Sequence, residues 1–393
     1  MHKIIVALLC LINALAWPLR AGADSLLFNV NTDSAEEISR MESQEAYQAL
    51  SNYLSSATGS HVKLVLGQNA TTALQRTRTG YYSVLLGPAH VIGSALKHGY
   101  EPIAKVPGSN KTVIVAMKSS GITKLEQAKG KRLGLPSQDS LPTYLVRGEL
   151  NAMGIQLKTY FSHVTNSRYQ ESALFALGIN QHDVVAVDQE VANKWLAKSP
   201  GVVILETQAV PAIGVAVNTK VPKDVQDKLR NALLQLQGSP QASLLGRLKI
   251  ARFEPATRDD FQYVSTLGYF TPKLLPGATM IDAAQAKDLM ARGVPLFDTR
   301  VEHEYKESHI KGAISLPYKE NSPKEVDFDD TLDAFDLTKL PKDKSAPVIF
   351  ACNGAECWKS YKSAKLAIKN KYTKVHWYRG GFPEWKAAGF PVE

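Results

Sequence analysis

Cysteine is scarce, with 3 in 393 residues. That excludes a disulfide framework, which needs several bridges spread through a small domain. Apolar runs of membrane-spanning length are lacking too. The stretch from Ile4 to about Trp17 is shorter than the roughly 20 residues a spanning helix needs, and Pro18 and Arg20 interrupt it. There is no low-complexity tract and no internal repeat, and 44% hydrophobic with 21% charged residues is globular composition. A net charge of +9 comes without an arginine-rich block. This argues against nucleic acid as a partner and leaves small anions or an anionic membrane surface.

The first residues read as an export signal. "MHKIIVALLCLINALAWPLRAGA" has an early Lys3, an apolar centre, and small Ala21 and Ala23 before Asp24, the layout of a cleavable secretory peptide. Cleavage after Ala23 implies a periplasmic protein whose signal is residues 1–23, with an uncleaved anchor as the competing reading. It also removes Cys10, leaving Cys352 and Cys357 as the only mature thiols.

Two unequal α/β units follow. In residues 24–270 the runs "LLFNV", "VKLVLG", "YSVLLG", "KTVIVAM", "KRLGLP", "DVVAV" and "IGVAVN" read as strands. They alternate with helical patterns such as "SQEAYQALSNYLSSATG" and "LPTYLVRGELNAMG". Alternation of this kind predicts parallel sheets covered on both faces. A segment rich in Pro and Gly around 271–280 marks a linker, and a smaller α/β unit fills 281–393.

Within the first unit, "TGYYSVLLGPAHVIGSALKHGYEPIAKV", "SSGITKLEQAKGKRLGLPSQDSLPTYLVRGEL" and "DVVAVDQEVANKWL" resemble the periplasmic solute-binding proteins of phosphate and phosphonate ABC transporters. The resemblance implies a two-lobed, type II-like binding protein with a small anionic ligand between the lobes and an ABC transporter as partner. The residues themselves supply a candidate anion site. Ser137, Asp139 and Ser140 stand between a strand and a helix whose first turn carries Thr143 and Tyr144, so free amides and the positive helix end face the cleft. Simple helix capping by Asp139 or Ser140 is the competing reading. In the family this helix start usually reads Ser-Thr-Ser-Gly, whereas here it reads "SLPT", and His90 and Val91 stand where a ligand-facing tyrosine is expected. Further cleft candidates are Asn31, Thr32 and Ser34 after the first strand, Ser119 and Ser120 at the lobe crossover, and Asp188 after "DVVAV".

In the second unit, "GVPLFDTRVEHEYKESHIKGAISLP", "APVIFACNGAECWKSYKSAKLAIKNKY" and "VHWYRGGFPEWKAAGFPVE" resemble a rhodanese domain. The resemblance implies a sulfurtransferase whose cysteine carries sulfur as a persulfide, with a sulfur acceptor or thiol reductant as partner. The Cys-Trp ending of the loop resembles rhodanese-like proteins associated with periplasmic quinoprotein and cytochrome systems. No metal or cofactor is implied.

Local chemistry points to the same cysteine. "PVIFA" reads as a buried strand and "SYKSAKLAIKNK" as a helix, so Cys352 sits at a strand-to-helix turn. Inward amides and the helix N-terminus there lower a thiol pKa, and the expectation is an ionised, accessible Cys352. The loop Asn353, Gly354, Ala355, Glu356 runs to Cys357 and Trp358, with Gly354 closing the turn. Cys357 takes the position at which the family often carries arginine, and Lys359, Lys362 and Lys365 are the cations available in its stead. Cys357 could attack a persulfide on Cys352, guard it from over-oxidation, or form a permanent bridge with it. Asp298 and Arg300 are expected to brace the loop, and Glu356 is expected to oppose a thiolate and an incoming anion unless it points to solvent.

Two readings of function result. One is a periplasmic sulfurtransferase or thiol-redox enzyme coupled to an anion-binding domain. The other is a solute-binding or sensor protein whose rhodanese-like domain is a docking or redox module without turnover.

Overall fold

The structure, a computed structural model, describes residues 25–31, 40–66, 70–153 and 155–393. The export segment and the candidates Thr32 and Ser34 lie outside the described residues.

The strands in chain order are β1 (Leu26–Val30), β2 (Val62–Leu66), β3 (Val84–Pro88), β4 (Tyr100–Lys105), β5 (Ser109–Asn110) and β6 (Thr112–Met117). Then come β7 (Arg132–Leu135), β8 (His163–Asn166), β9 (Val184–Asp188), β10 (Gly201–Glu206), β11 (Val210–Pro211) and β12 (Ile213–Asn218). The C-terminal unit adds β13 (Ala278–Ile281), β14 (Leu296–Asp298), β15 (Ile314–Ser315), β16 (Val348–Ala351) and β17 (Val375–Tyr378).

One lobe is the sheet β2-β1-β3-β12-β4, the other β10-β6-β9-β7-β8. Each is the same five-strand pattern built around one strand of opposite direction. β12 runs antiparallel to β3 and β4, and β6 runs antiparallel to β9 and β10. The expectation of parallel sheets holds for most pairings and is corrected for β6 and β12, because the chain crosses between lobes twice and each crossing donates a reversed strand. The crossings pair as the short ladder of β5 and β11. Strands read from apolar runs are strands here; β4, whose YEPIAK mixes charge with apolar residues, and β8, whose HVTN is short and polar, carry no such run, while the apolar run of β10 is a further strand.

Central strands β3 and β9 are almost wholly buried because helices cover both faces. On one face the helix Arg40–Thr58 buries Ala46, Leu50 and Leu54, successive positions four apart.

The C-terminal sheet, β13-β17-β16-β14-β15, is parallel throughout. β13 begins at Ala278, so the last residues assigned to a linker belong to this sheet. One apolar cluster runs through both units, joining Leu74, Val91 and Tyr144 to Tyr269, Trp358 and Trp377. The C-terminal unit is therefore packed onto the lobes. Among the described residues no helix is long and apolar enough to cross a membrane.

Candidate functional site

Cys352 follows β16, and Cys357 immediately precedes the helix Trp358–Lys369. The strand is fully buried, and the helix seats Tyr361, Ala364 and Ala367 on the sheet, so both ends of the loop are fixed. Gly354 has φ of 86°, a left-handed turn that a side chain would strain. Cys352 and Cys357, with Cα atoms 6.2 Å apart, are joined in a disulfide. The carbonyl of Cys352 accepts from the Phe382 amide at 2.8 Å, which ties the loop to the turn after β17. Among the described residues, the amides of Asn353, Gly354, Ala355 and Glu356 donate to no protein acceptor.

The expectation of an accessible sulfur is corrected. Cys352 is 1% exposed and Cys357 6%. Within the same loop Glu356 neither points to solvent nor stands as an unpaired charge. Its carboxylate accepts from Arg78 Nε at 3.1 Å and from Ser94 Oγ at 3.0 Å, and His98 Nε2 lies at 3.6 Å. Arg78 Nη1 also donates to the Glu356 carbonyl at 3.4 Å. These partners belong to the first lobe, so the cysteine loop docks there through its own acid. Burial pushes the Glu356 carboxyl up, but the Arg78 charge, the nearby His98 and the Ser94 hydrogen bond outweigh it and hold the group well below the usual carboxylate range. The connecting segment closes the other side, with Thr271 N and Oγ1 both donating to the Ala355 carbonyl at 2.8 Å.

Behind the loop, Asp298 and Arg300 form a buried fork. Arg300 Nη2 reaches Asp298 Oδ2 at 2.6 Å, Nε contacts both carboxylate oxygens at 3.0 Å, and Nη2 also donates to the Ser308 carbonyl at 2.9 Å. The guanidinium lies 4.1 Å from the Phe382 ring centroid. Asn353 Nδ2 donates to Glu304 Oε1 at 2.7 Å. His309 binds the Tyr305 carbonyl and Glu393, contacts that hold the chain end. Of the three lysines, Lys362 is committed to Glu320 and Ser322, and Lys365 donates to the Val326 carbonyl. Lys359 is buried with no ion pair among the described residues, and burial lowers its pKa against the opposing charges of Glu304 and Glu320.

The candidate ligand residues separate into two groups. Asp139, Ser140, Thr143 and Tyr144 lie buried at the start of the helix Leu141–Ala152, with Ser137 exposed beside them. The N-cap residue Ser140 does not cap that helix with its own side chain. Ser140 Oγ donates to the Ser137 carbonyl at 2.7 Å and Thr143 Oγ1 to the Pro136 carbonyl at 3.3 Å. Asp139 instead takes Lys324 Nζ of the C-terminal unit at 2.6 Å and Thr71 Oγ1 at 2.6 Å. A carboxylate here disfavours the oxyanion expected at this helix start. Asp188, at the end of β9, exchanges two hydrogen bonds with Gln170.

Ser119 and Ser120 require correction. β6 is antiparallel to β9, and Thr112 is opposite Asp188, so the residues after Met117 emerge at the far edge of the sheet from Asp188. They are exposed there, and Ser120 Oγ closes a local turn on the Met117 carbonyl. Sequence reasoning missed Arg78, Ser94, His98, Lys324 and Tyr269. For Arg78 and Lys324 the only signal would have been charge without a helical partner in range, and the uncharged Ser94 and Tyr269 carry none.

Two similar mixed-sheet lobes joined by a pair of crossing strands define a two-lobed solute-binding protein, here with a parallel α/β domain docked on it. The chain belongs to the family described as ABC transporter, phosphonate, periplasmic substrate-binding protein, which matches residues 37–261, and residues 282–388 match a rhodanese-like domain. Among solved structures, XAC2383 from Xanthomonas citri bound to ATP is similar at 18% identity and TM-score 0.54, over 62% of this chain and 96% of that one. PhnD1 from Prochlorococcus marinus in complex with methylphosphonate is similar at 15% identity and TM-score 0.50, over the same shares of 62% and 96%. No curated protein matches the chain.

Proposed function

We propose that this is an exported periplasmic solute-binding protein whose rhodanese-like domain carries a switchable thiol pair, sealed against the lobes in the docked arrangement and active when the domains part. The carrying observation is that the cysteine loop holds both thiols within bonding reach, while its acid anchors the loop to Arg78. The family supports a small anionic ligand for the lobes and an ABC transporter as partner.

The chemistry proceeds from the disulfide. A dithiol reductant exchanges with the Cys352–Cys357 bond, becoming a disulfide itself and leaving two thiols. The Cys352 thiolate then attacks the outer sulfur of a hydropersulfide donor, RSSH. RS⁻ departs, and Cys352 carries the sulfur as a persulfide. Next, the Cys357 thiolate attacks Cys352 Sγ. The outer sulfur leaves as HS⁻ and the disulfide is restored. The unpaired loop amides and buried Lys359 would stabilise the anionic sulfur at these stages.

The second reading, a redox-sensing module without sulfur transfer, is favoured by the burial of Cys352. Mass spectrometry of reduced protein exposed to glutathione hydropersulfide separates them. One added sulfur on Cys352, absent from Cys352→Ser and accumulating in Cys357→Ser, is expected for transfer. Reversible oxidation with no adduct on Cys352, even in an undocked variant, leaves the redox module.

A further inference from the structure

Asp139 is 5% exposed, and its two carboxylate oxygens serve different units: Oδ1 takes Lys324 and Oδ2 takes Thr71. Its carbonyl contacts His90 Nε2 at 2.9 Å. The Lys324 ammonium is also 5.4 Å from the Tyr269 ring centroid. That ring packs edge-on against Tyr144 at 5.0 Å and is fixed by its hydroxyl donating to the Gln138 carbonyl at 2.7 Å. A carboxylate with an aromatic face beside it is the chemistry that holds an ammonium group.

The side chain filling it arrives from an irregular stretch of the other domain. Lys362, bonded to the Ser322 carbonyl and hydroxyl, steadies the approach, and Glu325 pairs outside with Lys158 at 2.8 Å. The candidate ligand helix is thus engaged by the rhodanese-like domain itself. We propose that Asp139 forms an ammonium-binding site, occupied in this structure by Lys324, and that a free primary ammonium ligand competing for it releases the rhodanese-like domain and uncovers the Cys352–Cys357 loop.

Competition is feasible because a buried ion pair contributes little net stability, its desolvation cost offsetting most of the attraction, and a ligand of the same chemistry replaces it. Linkage is reciprocal: whatever factor docking takes from ligand affinity, the ligand takes from docking. The inference rests on the docked arrangement in the proposed function and not on persulfide chemistry.

The test uses the full-length oxidised protein. The rate at which a phosphine reductant opens the Cys352–Cys357 bond is measured against n-butylammonium chloride, with sodium butyrate and sodium chloride at equal ionic strength as controls. The expected result is a saturable rise of roughly tenfold with the amine alone. Lys324→Met, with its fold checked by circular dichroism, is expected to bind n-butylammonium at least about tenfold more tightly than wild type by calorimetry. Asp139→Asn is expected to be reduced rapidly and to ignore the amine. A wild-type rate that does not respond, or that responds equally to the salts, overturns the proposal even if the variants fail to fold. A negative amine titration beside a positive Cys352 persulfide assay overturns the ammonium site alone, and the converse overturns sulfur transfer alone.

Discussion

Arg78→Met removes the cation from the loop's anchor while keeping an apolar stem of similar reach. Glu356 then remains 3% exposed with only Ser94 and His98 as partners. Removing one member of a buried pair costs about 3–5 kcal/mol, and the two surviving contacts place this case near about 3 kcal/mol. If opening of the domain contact limits reduction of the disulfide, the rate rises by about a hundredfold, since each 1.4 kcal/mol is a factor of ten. The assay is phosphine reduction of the intact protein followed by mass spectrometry, alongside urea unfolding. The pH dependence has a definite sign. In the wild type, Glu356 is held below its unfolded value, so its contribution is present above the unfolded pKa, about 4.3, and is lost as pH falls through the lower folded one. Without Arg78, burial prevails and raises the carboxyl, so the deficit of the variant is largest at about pH 8 and shrinks toward about pH 5. Arg78→Met combined with Glu356→Met is expected to recover most of the loss, because no charge is left stranded. An Arg78→Met protein with wild-type stability and wild-type reduction rate refutes the anchoring role.

Asp298→Asn leaves the Arg300 guanidinium buried without its counterion. A loss of about 3 kcal/mol is expected in the urea transition. Gly381→Ala would place a Cβ 2.0 Å from the Cys352 carbonyl oxygen at a φ of 57°. The expected result is at least about 1–3 kcal/mol of destabilisation and faster disulfide reduction as the loop is displaced. Cys357→Ser is expected to leave a sulfur added to Cys352 in place, whereas the wild type releases it as sulfide when Cys357 attacks; equal retention in both denies the resolving role.

What sequence could reveal was set by local pattern. Apolar runs such as those of β3 and β9, and the alternation of strand and helix, gave both α/β units, and the position of Cys352 between β16 and its helix followed from "PVIFA" and the helical spacing after it. The docking was not legible. Arg78 and Glu356 lie 278 positions apart, and Asp139 and Lys324 lie 185 apart. No periodicity links such residues. Glu356 looked like a charge set against the thiol because its cation sits in another domain. Ser119 and Ser120 were placed at the crossover for a related reason: the reversed direction of β6 cannot be read from an apolar run.

Alkylation of the cysteine loop tests the sealed arrangement most directly. Protein reduced in urea, refolded with reductant present and pulsed with iodoacetamide reports access to each sulfur by mass spectrometry. Cys352 is expected to react at least about a hundredfold more slowly in the folded protein than in the unfolded chain, and Arg78→Met to restore much of the lost rate. Equal rates in the folded wild type and the unfolded chain would contradict the account.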